Sequence, residues 1–315
     1  MTEKAKSAYF PLLLIPDNVL EQVLRSMEVR ALILISFISR KIKPIAVALN
    51  MKPIHVDVVV LEFGRIYIGR DVVLCTFNRT QHPTRSADPY RETLRFIAHI
   101  FLLTKQTNVR RMRFFRYVDE AILNTVFHLF PNCENISINS DISSPVLQKI
   151  LSLYGNATKQ ISLHCIPPVE FKNPILIQNW DYLGIHTTPS ELDDLLMINC
   201  AALGVIYMSP GNLNKFLKMW IQNKANCRLE HFWIERWGAD LAPIMNGIHH
   251  TEIPRETIRT FKHSKKAIAL ERMWTMPETV EVQGGFDFRK RDGTLGTITI
   301  REQERKRILE FFVWS

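Results

Sequence analysis

Between residues 118 and 234 the chain alternates short apolar, β-branched runs with segments of helical period, and this alternation limits its fold more than any other feature. Asn135–Ile138, Gln160–Leu163, Tyr182–Ile185, Leu203–Met208 and Leu229–Ile234 read as strands. Val118–Leu129, Ser144–Tyr154, Ser190–Ile198 and Asn212–Gln222 read as the intervening helices. The helix at 144–154 carries its own punctuation, with Ser144 at the cap, Pro145 at the first position and Gly155 past the end. Strand–helix units recurring about every 25 to 30 residues bury their apolar faces only by stacking on one another, as a solenoid or a parallel α/β layer. A single doubly wound sheet is the alternative. No glycine-rich phosphate motif opens any of these helices, which argues against nucleotide binding.

The fold class expected is therefore α/β (α+β), an irregular leucine-rich-repeat-like β/α domain over 118–315, without the Asn ladder of strict repeats. It is expected to end in a β-hairpin, with Phe286–Arg289 as one strand, Asp292-Gly293 as the turn and Leu295–Ile300 as the return. Residues 53–117 form a β-rich connecting region. His55–Leu61, Arg65–Ile68 and Val72–Phe77 read as strands, Thr80–Asp88 as a loop and Tyr90–Lys105 as an amphipathic helix.

The N-terminal segment, 8–52, has a different character. Pro16 sits at a first helical position, and Asp17 and Glu21 place negative charge at the dipole-positive end. Val19, Leu20, Val23, Leu24 and Met27 then form one wide apolar helical face. Val29–Phe37 and Ile38–Leu49 read as two further helices, with Pro44 suggesting a kink or break in the last. A segment this short cannot bury a large core by itself. By pattern it is either a cap on the following domain or a docking module for a partner.

Two resemblances enter on these residues. Leu14-Ile-Pro16-Asp17, Val19-Leu20, Val23-Leu24, Met27, Leu32, Leu34-Ile-Ser36 and Ile38-Ser39-Arg40-Lys41 resemble an F-box, the helical motif that docks on the Skp-type adaptor of SCF ubiquitin ligases. Ile15 stands where the family usually has Leu, and Ile42 or Pro44 lies where a bulky aromatic is common. Asn212–Trp220, Arg228–Ile234, Ile244–Ile248 and above all Gly284-Gly-Phe-Asp-Phe-Arg-Lys-Arg-Asp-Gly-Thr294 are similar to the type 2 F-box-associated domain of a nematode-expanded F-box family. The resemblance implies a substrate-receptor subunit that reaches a cullin through the adaptor and captures an unknown protein substrate. It implies adaptor contacts at Leu14, Ile15, Pro16, Val19, Leu20, Val23, Leu24, Leu32, Ile35 and Ile38. It also implies protein–protein interaction and ubiquitin-dependent degradation of the substrate.

Composition narrows the remaining choices. Hydrophobic residues make up 46% and charged residues 23%, which excludes disorder as the default. The net charge of +9 makes anionic partners conceivable. Cys75, Cys133, Cys165, Cys200 and Cys227 are widely spaced with no C-x-x-C, so buried free thiols in a reducing compartment are expected. Asn-x-Ser/Thr triplets at Asn78, Asn135 and Asn156 read as chance. Leu12–Ile15 is too short and too Pro-flanked for a signal peptide, and Ala31–Ile38 too short for a membrane span. The expected location is the cytoplasm, the nucleus or both, with no membrane association.

Candidate chemistry is sparse. His249-His250 with Glu252 lacks further ligands at metal spacing and reads as a polar helix end. Glu191, Asp193 and Asp194 complement a helix dipole, and no nucleophile elbow occurs. No catalysis, cofactor or metal is expected. Basic clusters lie at Arg110-Arg111-x-Arg113-x-x-Arg116, Lys262-x-x-Lys265-Lys266, Arg289–Arg291 and Arg301–Arg307. The first interleaves with Phe114, Phe115 and Tyr117, so a nucleic-acid-binding protein is the alternative function, and a plain interaction scaffold a third.

Overall fold

The computed structural model is a mixed α/β protein and describes residues 12–49, 56–60, 65–68, 71–73, 89–105, 108–115, 118–167, 169–186, 191–238, 240–266, 276–303 and 306–314. The chain divides into two compact units, Met1–Val58 with Phe63–Val109, and Val59–Glu62 with Arg110–Ser315. The predicted loop Thr80–Asp88 and Cys75 lie outside the described residues.

The first unit is built on helices. After a 3-10 turn at Leu12–Leu14 come α1 (Asp17–Ser26), α2 (Val29–Ile38) and α3 (Ile42–Ala48). In α1, Leu20 and Leu24 recur one turn apart and are fully buried, while the Glu21–Arg25 pair at 2.6 Å staples the opposite face. The predicted second and third helices are separated by Ser39–Lys41, so α3 starts later than the pattern suggests. Pro44 consequently falls in the first turn, where its missing N–H is not needed, and causes no kink. The Ile42 N–H donates to Ser39 Oγ at 3.3 Å, which caps that turn. A fourth helix, α4 (Pro89–Thr104), packs on α2: Phe37 and Phe96 meet edge-to-face at 4.9 Å, and Ser36 Oγ pairs with His99 Nε2 at 2.8 Å. The unit also carries the β2 (Arg65–Ile68) and β3 (Asp71–Val73) hairpin, while β1 (Val56–Val60) crosses its boundary at Val58.

The second unit runs β4 (Val109–Phe114), α5 (Glu120–Leu129), β5 (Cys133–Ile138), α6 (Ser144–Tyr154), β6 (Gln160–Leu163), α7 (Val169–Leu176), β7 (Tyr182–Ile185), α8 (Leu192–Met197), β8 (Ala202–Val205), α9 (Pro210–Ile221), β9 (His231–Ile234) and α10 (Ala242–Met245). Four antiparallel strands follow: β10 (Thr251–Lys262), β11 (Thr279–Arg289), β12 (Leu295–Gln303) and β13 (Lys306–Trp314). Strands β4 to β9 lie side by side in chain order, and the pairs from β5 to β9 are parallel. A doubly wound sheet needs a reversal of strand order, and none occurs in this run. Consecutive helices touch along the run, α5 with α6, α7 with α8 and α8 with α9, on the one face where right-handed crossovers in a single direction place them.

The opposite face is set by close approaches. A Cβ on Gly184 would lie 2.3 Å from the Tyr182 hydroxyl, and one on Gly204 would lie 2.6 Å from the Trp233 ring. Both glycines let those rings lie flat, and the rings stack at 5.5 Å. Asn135, in the first of the described Asn-x-Ser/Thr triplets, is fully buried on β5 and cannot carry a glycan.

The expected terminal hairpin is the middle of a longer meander. β11 and β12 pair about the predicted Asp292-Gly293 turn, and β13 then returns to lie antiparallel to β9, Leu309 against Ile234 and Phe312 against His231. The joint is aromatic: Trp220 of α9 meets Phe311 of β13 edge-on at 4.9 Å and Phe288 of β11 at 6.0 Å. Trp220 is fully buried. Replacing it by Ala should lower the unfolding free energy by about 3 to 5 kcal/mol. The check is chemical denaturation followed by fluorescence of the remaining tryptophans and by far-UV circular dichroism.

Candidate docking surface

The first unit exposes more apolar area than its small core explains. Leu14 and Ile38 are 82% and 81% exposed, and Leu13, Val19, Leu34 and Phe37 are exposed as well. Three of them lie on α2, Val29-Arg-Ala-Leu-Ile-Leu-Ile-Ser-Phe-Ile38, which is apolar on all sides, so inward packing of Leu32 and Ile33 leaves Leu34 and Ile38 outside, while Phe37 stays partly exposed beside Phe96 and His99. Beside them the Leu12–Leu14 turn, Ile35, Ile38 and the Ser39–Ile42 connection line a groove of about 690 Å³. Lys41 fixes its rim: its Nζ donates to Leu13 O at 3.0 Å and pairs with Asp17 at 3.2 Å. An exposed apolar patch rimmed by polar groups marks an interaction site more often than an accident of packing.

The ten residues expected to contact an adaptor separate into two layers. Leu14, Pro16, Val19 and Ile38 are exposed, and Ile15, Val23 and Ile35 are half-buried. Leu20, Leu24 and Leu32 are buried and lie beneath that surface. Helical spacing identifies a face but not which turn of it is covered by a neighbour. Leu13 and Leu34 are exposed as well, and spacing alone does not single them out.

Other candidate groups are accounted for by the fold. His249-His250 precedes β10 instead of ending a helix, because the short α10 stops at Met245. His250 Nδ1 lies 2.7 Å from Ile248 O and its ring packs edge-on to Phe286. Asp193 and Asp194 do open α8, and Asp194 pairs with Lys172 at 2.8 Å. Cys133, Cys165 and Cys200 are buried thiols, and burial pushes them up to about 12, 11 and 12. They are protonated at neutral pH and poor nucleophiles. Cys227 is exposed, contrary to expectation, because it sits in the turn after α9. Among the described residues no group of three His, Cys, Asp or Glu could hold a metal ion, and no helix is long and apolar enough to cross a membrane.

The basic stretch on β4 is partly turned inward, with Arg110, Arg113 and Phe115 half-buried. Strand alternation turns Arg111 and Phe114 to opposite faces; Arg111 is 7% exposed and Phe114 fully buried, so the ring cannot stack on a base. Arg116 and Tyr117 lie outside the described residues. The other basic runs are also partly consumed. Lys290 lies over the Trp220 ring at 5.2 Å, and Arg301 grips Glu310 with two bonds of 2.9 and 3.2 Å.

Glu310 is the centre of a buried polar cluster. His231 Nε2 approaches it at 3.5 Å, and His231 Nδ1 meets His263 Nε2 at 3.3 Å. Burial alone would raise the Glu310 pKa, but His231 and Arg301 outweigh it and hold the carboxyl below its usual range. Burial, then the neighbouring His231, push His263 down to about 4. A histidine with a depressed folded pKa, like a carboxyl with a depressed one, stabilises at higher pH and loses that contribution as pH falls. For His263 the window runs from its ordinary value of 6.5 down to about 4. The urea midpoint should therefore drop across that window, and drop less in His263→Gln; equal declines for both proteins would refute the assignment.

Comparison with known proteins gives one match. Residues 173–234, from within α7 to the end of β9, fit the family model described as F-box associated. No curated protein and no solved structure matches the chain.

Proposed function

We propose that this chain is the substrate-receptor subunit of an SCF-type ubiquitin ligase. The observation that carries the reading is the F-box-associated match over 173–234, a class of sequence named for the docking motif it accompanies. In this reading residues 8–52 are the F-box and dock on a Skp-type adaptor, and through it on a cullin. Residues 118–315 are a leucine-rich-repeat-like, type 2 associated domain that captures a protein substrate, with 53–117 between them. The chain is then no enzyme. It raises the rate of ubiquitin transfer by proximity, in the cytoplasm, the nucleus or both.

The exposed apolar surface of the first unit supports the docking half of this reading. Leu14, Val19 and Ile38, with Ile15, Pro16, Val23 and Ile35 beside them, are apolar groups whose burial stabilises a complex by about 25 cal/mol per Å². Leu20, Leu24 and Leu32 would hold that surface in shape.

The buried residues are the wrong targets for a test, because a charge at Leu20 would unfold the helices before it broke an interface. Leu14→Asp with Ile38→Asp alters only exposed positions. Wild type should co-purify with the adaptor, and the double variant should recover at least tenfold less, a loss of about 1.4 kcal/mol or more, with an unchanged melting temperature. Equal recovery by both proteins sinks the reading and leaves a scaffold without ligase attachment.

A further inference from the structure

The second unit contains a cleft that the Gly284-Gly285 pair opens in its own sheet. From Arg289↔Leu295 to Phe286↔Ile298 the strands β11 and β12 are paired, and there the ladder stops. Gly284 and Gly285 have φ of +56° and +109°, conformations that side-chain-bearing residues rarely adopt. A Cβ on Gly285 would lie 2.5 Å from the Ile298 carbonyl oxygen, and one on Gly284 would lie 3.1 Å from Arg255 Cα. Across from them β10 bulges, since its register jumps from Ile253↔Gly285 to Ile258↔Gln283. The turn sends residues 279–283 off with β10, while residues 299–303 continue with β13. Between the two arms lies a cavity of about 580 Å³, within the range of roughly 300–1,000 Å³ typical of ligand sites.

Two properties of this cleft say what it fits. The first is main-chain: beyond Ile298, where only the Thr299 hydroxyl bridges to Gln283 O at 3.0 Å, the β12 edge that faces the cleft has no ladder partner among the described residues, so its N–H and C=O groups are offered to an incoming strand. The second is charge. Arg301 is already neutralised by Glu310, and Arg307 lies 3.9 Å from Asp240. That leaves Glu252, Glu281 and Glu302 facing Arg255, an excess of carboxylate in a protein whose net charge is +9.

We propose that this cleft binds an extended, lysine- or arginine-bearing peptide segment of a partner protein, which pairs with the β12 edge and sets its cations against Glu252, Glu281 and Glu302. Addition of a strand to an open sheet edge supplies affinity through the main chain, and the flanking carboxylates supply selectivity. The inference rests on the receptor reading only in taking the peptide to belong to a captured protein.

The test is fluorescence anisotropy with the full chain and fluorescein-labelled peptides of eight residues, alternating Lys-Thr or alternating Glu-Thr. The lysine peptide should bind and the glutamate peptide should not. Glu252→Gln, Glu281→Gln and Glu302→Gln together should weaken binding at least tenfold, about 1.4 kcal/mol, with the melting temperature unchanged. The lysine peptide with alternate backbone nitrogens methylated should weaken comparably, since it cannot complete the ladder. Equal binding of the two charge types, wild-type binding by the triple variant, or indifference to methylation would each overturn the proposal. Adaptor recovery is unaffected by these changes, so failure here leaves the receptor reading standing, and failure of adaptor recovery leaves this one.

Discussion

The second unit depends on one strand that faces two kinds of neighbour. β9 continues the parallel run on its β8 side and pairs antiparallel with β13 on the other, so four residues carry the change of sheet type. A parallel edge left open there would expose unpaired main-chain groups and the apolar side chains of Phe232 and Ile234. β13 closes it, and Trp220 secures the closure from the helix layer through Phe311 and Phe288. The three rings meet edge-to-face or stacked, geometries that add specificity to plain burial.

Charge is distributed by the same logic. A net charge of +9 suggests a basic surface, yet several of the cations are engaged within the fold. Arg259 lies over Trp314 at 4.9 Å while bridging to Asp287 at 2.8 and 2.9 Å, and Arg228 pairs with Asp181 at 3.3 Å. Guanidinium groups suit such places because their planar fork stacks on a ring and binds a carboxylate at once. Counting basic residues along the chain therefore overstates what a nucleic acid would meet. Glu252, Glu281 and Glu302 of the β11–β12 cleft are the counter-example, since among the described residues they have no such internal partner.

Much of this architecture is legible before folding. Strands β5, β6, β7 and β9 and helices α5, α6 and α9 coincide with the periodic runs to within a few residues, because each is short and apolar and the helices start at Asp or Ser caps. α7 escapes notice because Pro167, Pro168 and Pro174 mask its period, and β10 because it is an exposed strand with few apolar residues. β13 was legible in Ile308-Leu-Glu-Phe-Phe-Val-Trp314 but lies past the obvious hairpin, which drew the boundary too early.

What the sequence determined by itself is the local grammar: a helical N-terminal segment with too much apolar surface, a strand–helix rhythm, and a turn at Asp292-Gly293. Each follows from side-chain period and backbone permissiveness within a few residues. Only the tertiary structure decided which apolar residues remain outside, since Leu20 and Val19 are neighbours in sequence and opposites in exposure. It also decided that Gly284-Gly285 splits a sheet and does not merely turn a chain. Burial and sheet divergence depend on elements that the residues themselves do not adjoin, and no local pattern encodes them.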